Sequence, residues 1–400
     1  ARRGIRLTDA YSNSPVCSAT RTALITGQYQ YRFQCGLSEP LFMDGLGLPP
    51  EVPTLPSELK RHGYRTSLVG KWHLGDMPNY GPLKSGYEYF FGILGGGADY
   101  FEHRHLILEH GYKSEGLIEG TTPVEHDGYL TDLLGDRAVS ELEEADREQK
   151  PAFISLHFTA PHWPWQGPDN EAPGVPNSMH FEGGNLRIYA DMIERMDMNI
   201  GKVIASLQRL KLIENTIIVF TSDNGGERFS NVWPFTGAKT ELLEGGIRVP
   251  TIITWPKEIP AGQESDQLLM SMDFAPTLLS AIGKARKNFQ SDGVDLIDVL
   301  KRIKPPFNRQ LFWRYHAGNQ AALRDGKWKY LRLAGKEYLF DLHYDQHERA
   351  DRKYLESDRF EKMKSDWLVW NDTMLPYPEG MDSHSVTNFF PDRYNVESTH

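Results

Sequence analysis

Thr216-Ile217-Ile218-Val219-Phe220-Thr221-Ser222-Asp223-Asn224-Gly225-Gly226 is a β-branched apolar run of strand length that stops at an acid, an amide and two glycines. A run apolar on both faces belongs to a strand covered on both sides, as in sheets sandwiched by helices. Ligands of open α/β sheets lie beyond the carboxyl ends of their strands, which is where Asp223 and Asn224 fall. Two hard oxygen donors on a glycine turn suit Ca²⁺ or Mg²⁺ better than zinc, although an ordinary Asp-Asn turn reads the same way.

The alternation continues on both sides of this segment. Strand-like runs at 66–69, 153–158 and 249–254 alternate with helical periodicity to about residue 300. They predict an α/β fold with a mixed, mostly parallel sheet between helices. Leu186, Tyr189, Ile193, Met196, Ile200, Val203, Ile204 and Leu207 recur at three and four residues, so one long amphipathic helix with its apolar stripe in the core is expected.

After residue 305 the pattern becomes short strands at 310–315, 320–323, 327–333 and 337–342, with Asp325-Gly326 as a tight turn between two of them. The expected organisation is an α/β domain over 1–305, a C-terminal antiparallel sheet and helix subdomain over 306–373, and an extended tail over 374–400.

Composition narrows the classes of function. The chain is 39% apolar and 24% charged, and no run approaches the roughly 18 apolar residues of a membrane span. A net charge of −10 argues against nucleic acid as a partner, so an anionic ligand needs a local cluster of cations. Two cysteines are too few for a disulfide framework, and Cys35 is expected to be a plain buried thiol. Ala1 to Arg6 is basic but lacks the apolar region of a signal peptide. The opening strand, Ile5 to Tyr11, has no strand and helix ahead of it, and a missing N-terminal segment is expected.

Four further segments carry reactive groups. Ser14-Pro15-Val16-Cys17-Ser18-Ala19-Thr20-Arg21 opens a helix that ends at Gly27, placing Cys17 among the unpaired N–H groups of a helix start and Arg21 on the same face. A buried cysteine beside a surface arginine would look alike. Gly70-Lys71-Trp72-His73-Leu74-Gly75 puts a cation and a titratable ring at the end of a strand. Ala160-Pro161-His162-Trp163-Pro164-Trp165 is a stiff loop holding His162, and its tryptophans could stack on a sugar or fill a gap. His157 lies inside the preceding strand, where a satisfied core histidine is expected. The fourth segment runs from Pro234 to Pro250 and contains Lys239 and Glu244-Gly245-Gly246-Ile247-Arg248-Val249-Pro250.

Together these motifs resemble, in order and across nearly the whole chain, the type I sulfatases of the alkaline phosphatase superfamily. The resemblance implies that Cys17 is oxidised to formylglycine by a formylglycine-generating or anaerobic sulfatase-maturating enzyme. The aldehyde hydrate would supply one oxygen to attack sulfur and another to expel sulfate. Arg21 would hold the hydrate and His73 bond to it, Lys71 and Lys239 would neutralise sulfate oxygens, and His162 would serve the departing alcohol. Asp223 and Asn224 would ligate Ca²⁺, with Mg²⁺ as the alternative. The chain departs from the family at Ala19, where proline is usual, and in lacking the first strand's consecutive Asp pair.

The same resemblance, closest to bacterial sulfatases of carrageenan-type galactans, implies a sulfated carbohydrate substrate and a periplasmic or secreted location. Candidate substrate contacts are Trp163, His103, Arg104 and His105 in the loops, and Arg314 and His316 in the C-terminal sheet. A phosphate or phosphonate monoester hydrolase of the same superfamily and a non-catalytic sulfated-glycan-binding protein are the rival readings.

Overall fold

The computed structural model describes residues 2–40, 45–104, 116–169, 183–283 and 289–379. The chain divides into two units, Ala1–Glu39 with Ile217–His400, and Pro40–Thr216.

In the first unit the opening strand Ile5–Leu7 runs parallel to Gln263–Ser265 and antiparallel to Thr251–Thr254, which pairs in turn with Ile218–Phe220. Ile5, Leu7, Ile253, Phe274 and Leu300 fill one core of this unit. The helix Cys17–Thr26 ends as expected at Gly27, which takes the left-handed conformation.

The C-terminal strands Gln310–Tyr315, Gln320–Asp325, Trp328–Leu333 and Lys336–Asp341 pair in sequence order, all antiparallel. Alternation divides their side chains between two faces. Leu323, Tyr330 and Leu339 meet Phe360, Met363 and Trp367 of the helix Ser357–Asn371, while Trp313, Leu331 and Phe340 join Tyr11, Leu243 and Ile247. The indole N–H of Trp313 donates to the Ser12 carbonyl at 2.8 Å, which ties this sheet to the segment leading into Cys17.

In the second unit the fully buried strand Arg65–Lys71 pairs in parallel with Tyr89–Ile93 and Ala152–His157, and Leu117–Glu119 and Thr122–Val124 extend the sheet antiparallel. A mixed α/β architecture with a C-terminal antiparallel sheet is thus present as the sequence implies.

The helix Leu186–Arg209 forms, but its deeply buried line is Met192, Asn199, Ser206 and Leu207. The expected stripe is not fully core: Leu186 is 68% and Ile193 38% exposed. Polar anchoring sets the rotation. Arg195 and Asn199 both bond to Asp132 of the helix Leu130–Arg147, and Gly135 leaves no room for a Cβ beside the Asn199 amide.

Candidate active site

The first unit supplies five of the expected groups. Cys17 occupies the first helical position and is 4% exposed. The turn before it is fixed by Thr20, whose hydroxyl donates to the Ser14 carbonyl and accepts the Ser14 N–H, both at 3.0 Å. One helical turn on, Arg21 donates from Nε and Nη2 to Asp223 Oδ2, at 3.1 and 2.8 Å. Residues 202 positions apart thereby share one charge-assisted contact.

The Asp223 turn is pressed against a second glycine segment. The Gly225 N–H donates to the Gly246 carbonyl at 2.8 Å, and a Cβ on Gly225 would lie 1.9 Å from the Gly245 carbonyl oxygen. Any larger residue would force the two backbones apart.

Lys239 is held at three points. Its N–H donates to the Gly226 carbonyl and that of Thr240 to the Pro15 carbonyl, both at 2.9 Å. Its ammonium lies 3.2 Å from Glu227 Oε2. Burial alone would lower its pKa, but the negative charges of Cys17, Glu227 and Asp223 outweigh burial and raise it well above the usual lysine value. Thr240 has φ of 74°, a left-handed conformation costly for a β-branched residue and maintained by its surroundings. Gln320 of the C-terminal sheet brackets that turn, donating to the Thr240 carbonyl at 2.9 Å and accepting the Leu242 N–H at 2.8 Å.

The donor set also fits a hard divalent cation. Asn224 uses its amide N–H to reach the Gly225 carbonyl at 2.8 Å, while its Oδ1 is buried without a hydrogen bond. A buried acceptor left in that state next to a carboxylate is suited to a cation. No group of three or more His, Cys, Asp or Glu side chains able to hold a metal occurs among the described residues, and Asp223 and Asn224 by themselves are fewer donors than the roughly six to eight oxygens Ca²⁺ takes.

The second unit supplies the remaining three. Lys71 ends the strand Arg65–Lys71 and His73 lies two residues beyond it, each 2% exposed, and His73 adopts φ of 63°. The ring of His157 bonds to the Lys71 carbonyl at 3.2 Å. His162 Nδ1 lies 2.7 Å from the Trp163 carbonyl, which can only accept, so Nδ1 carries hydrogen. A Cβ on Gly96 would meet the His73 ring at 2.7 Å, and one on Gly97 would meet His162 Nδ1 at 3.1 Å. Two consecutive glycines therefore admit the two imidazoles.

The expected substrate contacts fare differently. Trp163 is 6% exposed, comparable to Cys17 at 4%. His103 is buried with Nε2 bonded to the Gly128 carbonyl at 2.9 Å, and burial lowers its pKa. Arg314 is buried against Tyr31 and Tyr377 and bonds to Asn371 and the Leu375 carbonyl. Arg104 and His316 are exposed, and His105 lies outside the described residues. Cys35 is 1% exposed and burial pushes its thiol up to about 12, which leaves it without chemistry at neutral pH.

Glu227 and Gln320 were not evident as site residues in the sequence. Glu227 directly follows the Asp223 to Gly226 motif and could have been suspected as a partner for a cation. Gln320 carries no sequence signal, because only the folded sheet brings it to Thr240.

Residues 1–284 match the family model described as Sulfatase, and residues 238–365 match that described as N-sulphoglucosamine sulphohydrolase, C-terminal. N-acetylgalactosamine-6-sulfatase of Mus musculus is 32% identical over 341 residues, covering 80% of this chain and 63% of that protein. Arylsulfatase J of the same species is 31% identical over 359 residues, covering 83% and 59%. The chain thus spans less than two thirds of the length of these relatives, at 63% and 59%. Among solved structures, Ps i-CgsB in complex with k-i-k-neocarrahexaose superposes with a TM-score of 0.86 at 28% identity, over 96% of this chain and 88% of that one. On this evidence the chain belongs to the sulfatase family of the alkaline phosphatase superfamily.

Proposed function

We propose that the protein hydrolyses sulfate esters of a sulfated sugar or polysaccharide, with formylglycine made from Cys17 as its nucleophile. The observation that carries this reading is the association of Cys17, Arg21, Asp223 and Lys239 within one unit. Tetrahedral sulfate is an anion, and groups already fixed around it need no rearrangement as charge shifts in the transition state.

The residues of the chain divide the work. The helix start at Cys17 favours an anion, and Arg21 fixes Asp223 while directing a cation toward the modified side chain. Lys239, held beside Glu227, neutralises a sulfate oxygen. The family resemblance gives Lys71 the same task and gives His73 a hydrogen bond to the hydrate. His162, with Nδ1 engaged by a carbonyl, has Nε2 to protonate the departing alcohol oxygen. A Ca²⁺ ion on Asp223 and Asn224, or Mg²⁺ in its place, would supply Lewis-acid neutralisation of the sulfate.

A carbohydrate substrate is supported by relatives whose names concern N-acetylgalactosamine sulfate and a neocarrahexaose complex. Of the candidate contacts, exposed Arg104 and His316 suit an anionic sugar. Maturation by a formylglycine-generating or anaerobic maturating enzyme and a periplasmic or secreted location complete the proposal. Among the described residues no helix is long and apolar enough to cross a membrane.

Intact-mass analysis of the peptide spanning Cys17, from protein made in a maturation-competent host, tests the reading. An aldehyde or its hydrate is expected, and Cys17→Ala should abolish sulfate release while leaving thermal unfolding unchanged. An unmodified thiol accompanying full activity would contradict it.

A further inference from the structure

The Lys239 N–H bonded to the Gly226 carbonyl closes residues 227–238 into a loop, and the Glu227 to Lys239 ion pair joins its two ends. Within that loop Trp233 is 73% exposed, a large apolar surface left in water beside a polar site. The indole is nevertheless held in place. The Trp233 backbone N–H donates to Asn231 Oδ1 at 3.0 Å, which fixes the main chain, and the His347 ring lies against the indole with centroids 4.7 Å apart and a tilt of 47°.

His347 is itself anchored. Its carbonyl accepts the Thr236 hydroxyl at 2.7 Å, and the next residue, Glu348, is buried 2.8 Å from Lys329. An exposed aromatic face that is braced before binding loses little freedom on binding. The apolar C–H face of a pyranose stacks on such a surface, and a neighbouring imidazole and the exposed Arg228 can meet its hydroxyl or sulfate groups. In a chain of net charge −10, local cationic groups of this kind are what an anionic glycan can use.

Trp233 is six residues from Lys239, so even a fully extended backbone keeps the two within roughly 20 Å. That is within reach of a short oligosaccharide whose sulfate lies at Lys239.

We infer that Trp233, braced by His347, is a distal platform for a sugar ring of the substrate chain, remote from the sulfate being removed. The inference rests on reading the Cys17 region as the sulfate-ester site.

The test compares kcat/KM for a sulfated galactan hexasaccharide and for 4-nitrophenyl sulfate in the parent, Trp233→Ala and Trp233→Phe proteins. The ratio of the two values should fall roughly tenfold in Trp233→Ala and largely recover in Trp233→Phe. An unchanged ratio, or equal losses on both substrates, overturns the platform while leaving the sulfatase reading intact. A parent inactive on both substrates overturns that reading instead. Calorimetric binding of the hexasaccharide then decides the platform: roughly tenfold weaker binding by Trp233→Ala supports it, and equal or absent binding overturns it.

Discussion

Lys239 and Glu227 form a buried ion pair, Nζ to Oε2 at 3.2 Å, with their side chains only 4% and 9% exposed. The pair holds a cation near Cys17 in one position, since the Lys239 N–H is bonded to the Gly226 carbonyl and the Thr240 N–H to the Pro15 carbonyl. Replacing Lys239 by Met should lower kcat for sulfate-ester hydrolysis by about 10²- to 10³-fold, the usual loss on removing one electrostatic contact to a transition state. Glu227→Gln should cost less and act on kcat more than on KM. Steady-state kinetics check both, and an effect of Lys239→Met confined to KM would contradict the assigned role.

The orphaned Asn224 Oδ1 makes a separate statement about cation binding. A ligand that binds only the folded state stabilises it by about 2.7 kcal/mol at one hundred times its dissociation constant. Adding Ca²⁺ to chelator-treated protein should therefore raise the melting temperature, and Asn224→Ala should remove most of that gain. An equal rise in both proteins would place the ion elsewhere.

Gln320 secures the strained turn after Lys239 through Thr240 and Leu242, and it also donates to the Ala317 carbonyl at 2.9 Å. Gln320→Leu leaves these buried backbone groups without partners and should cost about 2–4 kcal/mol in denaturant unfolding. Turnover should fall as well, because the Lys239 backbone is released. A stability loss under about 0.5 kcal/mol, the range of ordinary surface substitutions, would show that the bracket is dispensable.

A pH effect follows from Lys329, which is fully buried between Glu244 and Glu348 at 2.9 and 2.8 Å. Glu244 ionises readily despite its burial, since Lys329, Arg324 and Arg248 face it. Burial pushes Glu348 up to about 7, with Lys329 opposing and Glu244 adding to the rise. The folded Glu348 carboxyl therefore binds its proton more tightly than the unfolded one. Its contribution to stability is full below the ordinary value of 4.5 and is lost as pH climbs through about 7. Thermal unfolding between these values should show a downward slope with pH that Glu348→Gln reduces. An identical slope in the variant would assign the titration to another group.

Much of this arrangement was legible in the sequence because its signals are local. Gly27 ends the Cys17 helix, an apolar strand delivers Asp223 and Asn224, and Asp325-Gly326 turns one strand into the next. What escaped is long-range. Arg21 meets Asp223 across 202 positions, and Gln320 reaches Thr240 only through the folded sheet. Burial was equally hidden: the sequence does not show that Trp163 and His103 are enclosed as deeply as Cys17. Trp233 reads as one more aromatic until its exposure is known.

The central claim is that the groups around Cys17 are arranged for sulfate rather than phosphate. Turnover of matched 4-nitrophenyl sulfate and 4-nitrophenyl phosphate by the matured protein, alongside Cys17→Ala, measures it directly. The sulfate should be favoured by orders of magnitude, and its turnover should vanish in the variant. A preference for the phosphate, or sulfate turnover that survives the loss of Cys17, would contradict it.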